Sequence, residues 1–89
     1  MFLHIGEDLV VREKDIIGIF DFETSTLSRN TKKYLQDKEK KHMTFAISDQ
    51  LPKAFVVVQK YKEPDSKVFF TLVSSITLKK RAENNKLTE

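Results

Sequence analysis

The side chains able to do covalent or metal chemistry are few. His4 and His42 are the only imidazoles, and the 89-residue chain has no cysteine. A zinc site would need both histidines joined by carboxylates around a tetrahedral ion. His4 lies in an apolar, strand-like run and His42 at the end of a basic helical stretch, and no local spacing brings them together. Each reads as a structural or surface histidine, and no metal is expected. The same scarcity leaves a Ser-His-Asp arrangement without support. Gly6 and Gly18 are the only glycines. A phosphate-cradling loop or dinucleotide fingerprint clusters its glycines so that backbone N–H groups can approach the phosphates. Asp21 and Glu23 share a strand face at i and i+2, a spacing that can bind a cation or divide acid and base roles. They fit a solvent-facing strand end better. The sequence therefore predicts no enzyme and no cofactor.

What remains is cationic. Arg29, Lys32 and Lys33 form one cluster, Lys79-Lys80-Arg81 a second, and Lys53 stands beside a turn before a valine-rich run. Such side chains neutralise phosphates and release counterions, giving salt-sensitive affinity with little sequence information. Stacking on unpaired bases needs exposed aromatic rings. Tyr61 and Tyr34 are the candidates, with Tyr34 on an apolar stripe, so duplex binding is better supported than single-strand binding. The net charge of +3 also hides an asymmetry. Residues 1–28 hold two basic and six acidic side chains, a balance of −4; residues 29–89 hold fourteen and seven, a balance of +7. An anionic partner on one side is expected from that division.

The length allows one domain, residues 1–83, followed by a frayed tail, 84–89. A cysteine-free, Lys/Glu-rich chain suits a reducing cytosol. The N-terminal MFLHIGEDLV has no basic n-region, and no run approaches the ~18 apolar residues that a spanning helix requires. A cytoplasmic protein with no membrane partner and no small-molecule substrate is expected.

Elements to position the cations can be read in order. Residues 2–5 and 9–11 form a hairpin around Gly6-Glu7-Asp8, and 16–22 form a third strand in which Gly18 marks a bulge or a close backbone approach. Thr24-Ser25-Thr26 offers helix caps. Leu27, Thr31, Tyr34 and Leu35 form one stripe of a helix over about residues 26 to 41, with Arg29, Lys32, Lys33, Lys38, Lys40 and Lys41 on its other faces. Residues 43–47, 54–59 and 68–73 return to strand, the last two joined by the turn Glu63-Pro64-Asp65-Ser66. Ser74-Ser75 caps a short C-terminal helix carrying Ile76, Leu78 and Ala82 on one side. The fold class is α+β, a small, mostly antiparallel sheet of five or six strands with one longer and one short helix. Alternation puts Ala54, Val56 and Val58 on one face of their strand and Phe55 and Val57 on the other. Two helices do not obviously cover both apolar faces, and an uncovered face becomes a subunit interface, so a homo-oligomer is expected.

The segment LHIGEDLVVREKDIIGIFDF, residues 3–22, resembles the opening of the RemA/RemB-like extracellular matrix regulators of Gram-positive bacteria. PKAFVVV (52–58) and SSITLKKRA (74–82) resemble the RemB branch in particular, and the likeness runs in register to Ala82. It implies a cytoplasmic, double-stranded-DNA-binding regulator of biofilm matrix genes that assembles into ring-like homo-oligomers, whose repeated weak contacts sum to avidity. RemA-type members carry adjacent arginines in the turn before the valine-rich strand; here those positions are Gln50 and Leu51. Lys53 matches a basic position beside that strand, whereas Asp15 falls where RemA-like chains are basic. The expected DNA contacts are Lys53, Arg12, Lys14, Lys79, Lys80 and Arg81. The alternative is an assembly or adaptor protein that binds another protein and touches no nucleic acid.

Overall fold

The computed structural model describes residues 1–87, with side chains through residue 84. Its backbone forms six strands and three helices: β1 (Phe2–Gly6), β2 (Leu9–Arg12), β3 (Ile16–Asp21), α1 (Phe22–Ser25), α2 (Arg29–Lys40), β4 (Thr44–Ala46), β5 (Ala54–Val58), β6 (Lys67–Thr71) and α3 (Ser75–Leu87). The class is α+β, as expected, but the strands divide into two sheets. β1 and β2 form an antiparallel hairpin of their own, and the other four strands run in the order β3-β5-β6-β4.

The second sheet is antiparallel except at one edge, where β4 pairs parallel to β6. β3 and β4 therefore run in the same direction on opposite edges of the sheet, and two like-directed strands must be joined by a crossover. The α1–α2 segment is that crossover. It is not the single helix expected over 26–41, because two caps interrupt it. The Asp21 carboxylate accepts from the Thr24 backbone N–H at 2.9 Å and starts α1, and the Ser28 hydroxyl accepts from the Thr31 N–H at 3.4 Å and starts α2. The break also displaces two expected positions. Phe22 leaves the strand to begin α1, and Leu27, assigned to the apolar stripe, is 80% exposed in the connection.

β5 is buried at all five positions. On one face Ala54, Val56 and Val58 pack with Leu3, Ile5 and Val11 of the hairpin and Leu78 of α3. On the other, Phe55 and Val57 pack with Val68, and Phe22, Tyr34, Leu35 and Phe70 close over them. The two-sided apolar pattern of β5 is thus satisfied inside one chain, because the hairpin folds back over the sheet and acts as a layer. The Thr71 hydroxyl fastens that layer, donating to the Ile5 carbonyl and accepting from the Val73 N–H at 3.0 Å.

β3 contains the irregularity its glycine signalled. Ile16 pairs with Val58 and Gly18 with Val57, leaving Ile17 as an extra residue. The bulge turns Ile17 toward the α2 side of the sheet, where it lines a groove with Phe20, Tyr34 and Phe55. A side chain at Gly18 would reach within 2.6 Å of the Phe20 ring, so the glycine lets that ring lie over the strand and stack on Phe55 at 5.2 Å.

α3 is the largest departure from expectation. It spans 13 residues, not about two turns. No glycine or proline occurs from Ser75 to Leu87 to stop it. Leu78 and Ala82 face the core as expected, but Ile76 is exposed. The tail expected from residue 84 falls in part on this helix, and residues 88–89 lie outside those described.

Candidate nucleic-acid interface

Strand register decides where the expected phosphate contacts stand. Asp21, Ala54 and Thr71 are neighbours across β3, β5 and β6 at one end of the sheet. Lys53 immediately precedes Ala54 at that end. Its main chain is pinned on both sides, its N–H donating to the Thr71 carbonyl and its carbonyl accepting from the Phe22 N–H, both at 2.9 Å. The backbone is fixed while the ammonium group is exposed.

Lys53, Asp21, Glu23, Thr26 and Ser74 line one cleft. Ser74 leads into α3, whose first turn is closed by the Ser74 hydroxyl accepting from the Thr77 N–H at 3.2 Å. That start brings Lys79 round to the same end. The lysine lies near enough to Asp21 to favour its ionised form, although the larger causes of the lowered Asp21 pKa are the backbone N–H and hydroxyl of Thr24. Lys53 and Lys79 therefore both stand at the Asp21 end of the sheet. Asp21 and Glu23 do not form the paired strand-face site that their spacing offered, since Asp21 caps α1 and Glu23 lies within it.

The other expected residues lie elsewhere. Arg12 ends β2 and Lys14 sits in the single 3-10 turn that follows. That turn is bonded to the far end of β5 through the Asp15 carbonyl, which accepts from the Gln59 N–H at 2.8 Å. The five residues of β5 span about 13 Å at about 3.3 Å per residue, which separates the end of the sheet that holds Arg12 and Lys14 from the end that holds Lys53. Arg81 turns onto β1, donating to the His4 carbonyl at 3.0 Å, while Lys80 is exposed on α3. The structure brings together two of the six residues, Lys53 and Lys79. It separates them from Arg12 and Lys14 and uses Arg81 to clasp the hairpin.

Arg12 has cationic neighbours that sequence reasoning did not select. It lines a cleft of about 290 Å³ with Lys60, Lys67 and the buried Asp15. Lys60 and Lys67 follow β5 and open β6, so pairing the two strands around their turn was the signal that places them beside Val58. Among the described residues, ion pairs engage Lys38, Lys41 and Lys67, and none engages Lys53, Lys60, Lys79 or Lys80.

The loop before Lys53 carries no cation. Gln50 is exposed and Leu51 is 79% exposed, standing with Pro52 between the Lys53 cleft and a neighbouring groove formed by Phe22, Ala46 and Phe70. The histidines are not gathered into a site. His4 contacts the Glu7 carbonyl through its Nε2, and His42 lies beyond the end of α2 with a φ of 58°. No group of three or more metal-ligating side chains occurs among the described residues. No described helix is long and apolar enough to cross a membrane.

No protein-family model matches the chain. It is, however, 36% identical over 83 residues to extracellular matrix regulatory protein B of Bacillus subtilis (strain 168), a match covering 93% of this chain and 91% of that protein. An identity of this level over nearly the whole of both chains places this protein in the family of extracellular matrix regulatory protein B.

Proposed function

We propose that the protein is a cytoplasmic regulator of extracellular matrix genes that binds duplex DNA as a homo-oligomer through phosphate contacts. The observation that carries this reading is the convergence of Lys53, before β5, and Lys79, on α3, at one end of the sheet. Lys53 projects from a backbone held at 2.9 Å on both sides, so binding need order only its side chain. Asp21 and Glu23, which line the cleft with Lys53, keep phosphates from settling deep in it and restrict contact to its rim. Two such contacts in one chain are weak, and repetition around an oligomer supplies the affinity. The name of the Bacillus subtilis relative supports the regulatory role.

The test is titration of a random duplex at low and then physiological salt, with the oligomeric mass measured in the same buffers. A multimer that binds with steep salt sensitivity, and loses affinity when Lys53→Ala and Lys79→Ala are combined, supports the assignment. Unchanged affinity and salt dependence in the double variant would reject these residues as the contacts.

A second reading has its own observation. Leu51, at 79% exposure, occupies a position where a DNA-reading loop would carry charge. In this reading the loop docks on a protein partner. Complex formation that survives high salt and is lost on Leu51→Ser would favour the adaptor over the DNA binder.

A further inference from the structure

The turn between β5 and β6 carries a feature that neither cation cluster absorbs. Tyr61 is 87% exposed. It stands between Lys60 and Lys62, and the Lys62 ammonium lies over its ring at 5.7 Å from the centroid. Lys62 adopts a φ of 71°, in the left-handed region, where the chain turns back on itself. The tip is held by two hydrogen bonds: the Glu63 N–H donates to the Lys60 carbonyl at 3.1 Å, and the Gln59 side-chain amide donates to the Glu63 carbonyl at 3.3 Å.

The charge around the tip is sorted. Asp65 is taken up by Lys38 and Lys41 at 3.8 and 3.9 Å, and Glu63 by Lys67 at 3.8 Å. The two acids of the turn are thus neutralised from behind, and no described ion pair engages Lys60 or Lys62. Lys60 also lines the cleft that holds Arg12 and Lys67, so a path of cations leads away from the ring.

An exposed aromatic ring flanked by cations suits stacking of an unpaired base with its neighbouring phosphates on the lysines. Base pairs inside a duplex bury their faces against one another and offer no such surface. We propose that the Lys60-Tyr61-Lys62 tip is a second nucleic-acid contact that takes single-stranded DNA, one base stacking on Tyr61 and the backbone running toward Arg12. The inference rests on the nucleic-acid reading of the protein but concerns the opposite end of the sheet from Lys53.

The chain has two tyrosines and no tryptophan. Tyr34→Phe therefore leaves Tyr61 as the sole fluorescent reporter, and stacking quenches it. The experiment titrates that variant with oligo(dT) of about twelve nucleotides, within the range of known single-strand sites. Quenching is expected; with a dye-labelled oligo(dT) read by anisotropy, which needs no tyrosine, affinity falls about five- to a hundredfold in Tyr61→Ala and is retained in Tyr61→Phe. A side chain this exposed leaves the fold intact on substitution, which circular dichroism verifies. Equal oligo(dT) affinity for the parent and Tyr61→Ala would overturn the proposal. Duplex binding without oligo(dT) binding would overturn it alone, whereas a protein that binds neither at low salt would overturn the DNA-binding function as well.

Discussion

A carboxylate that accepts two hydrogen bonds from one neighbouring residue ionises more readily than one in water. Asp21 is in that position, with the N–H and the hydroxyl of Thr24 both at 2.9 Å, and its pKa lies below the ordinary 3.8. A pKa lowered by folding means that the ionised form stabilises the native state. That stabilisation is complete above the unfolded value and disappears as pH falls through the folded one. Asp21→Asn keeps a capping oxygen and removes the charge. The wild type should melt above the Asn variant at neutral pH, and the gap should close as the melting buffer is taken well below pH 3.8. A gap that persists there would mean that ionisation is not what Asp21 contributes. Lys38 shows how much a residue's number can hide. Periodicity put it among the solvated lysines of α2, yet it is 8% exposed, 5.6 Å over the Tyr34 ring and 3.8 Å from Asp65. Its charge pattern matches that of its exposed neighbours, and the return of the β5–β6 turn, which brings Asp65 to it, is not visible in the sequence around it.

At the level of elements, what could be read locally was read well. The hairpin, the valine-rich strand and the Gly18 irregularity all follow from residues within a few positions of one another, and all are present; the turn expected at Glu63–Ser66 falls earlier, at Lys60–Glu63, where the Glu63 N–H donates to the Lys60 carbonyl. The errors fall where an element's fate depends on distant chain. Nothing in residues 2–12 says that their hairpin lies over the sheet as a separate layer; the Thr71 hydroxyl, 66 positions from Ile5, is part of what holds it there. Nothing near Thr44 says that its strand runs parallel to β6, since that follows from the crossover. The site divided in the same way. Lys53 was legible from its place before β5, whereas its grouping with Lys79 and its separation from Arg12 are consequences of register and topology. α3 gives a direct test of the layered core. Leu78 is fully buried against the hairpin and β5, and Leu78→Ala should cost about 2–5 kcal/mol. Ile76→Ala, exposed on the same helix, should stay within about 0.5 kcal/mol. Urea titrations of both variants measure the two values, and similar losses would mean that α3 is not seated as described.

For the whole molecule, DNA binding of the proposed kind is limited by how few cations one chain can offer to one duplex. With Lys53 and Lys79 at one end of the sheet and Arg12 and Lys14 at the other, the Lys53 end of a single copy presents two phosphate contacts. The salt dependence of affinity counts such contacts, because log K falls against log salt with a slope of about −0.9 for each phosphate neutralised on B-DNA. A monomeric binder using the Lys53 end alone should show a slope near −2. An oligomer that lays several copies of the same end along the duplex multiplies that figure by the number engaged. Lys53→Ala removes one contact from every engaged copy, so the slope should become shallower by about 0.9 for each. Comparing the wild type and Lys53→Ala over a range of salt, beside the mass of the free protein, therefore yields the number of protomers that touch DNA together. A change of about 0.9 from a protein that is multimeric would mean that assembly serves some purpose other than multivalent binding. A change several times larger would tie the oligomer directly to DNA recognition, with Lys53 as its repeated contact.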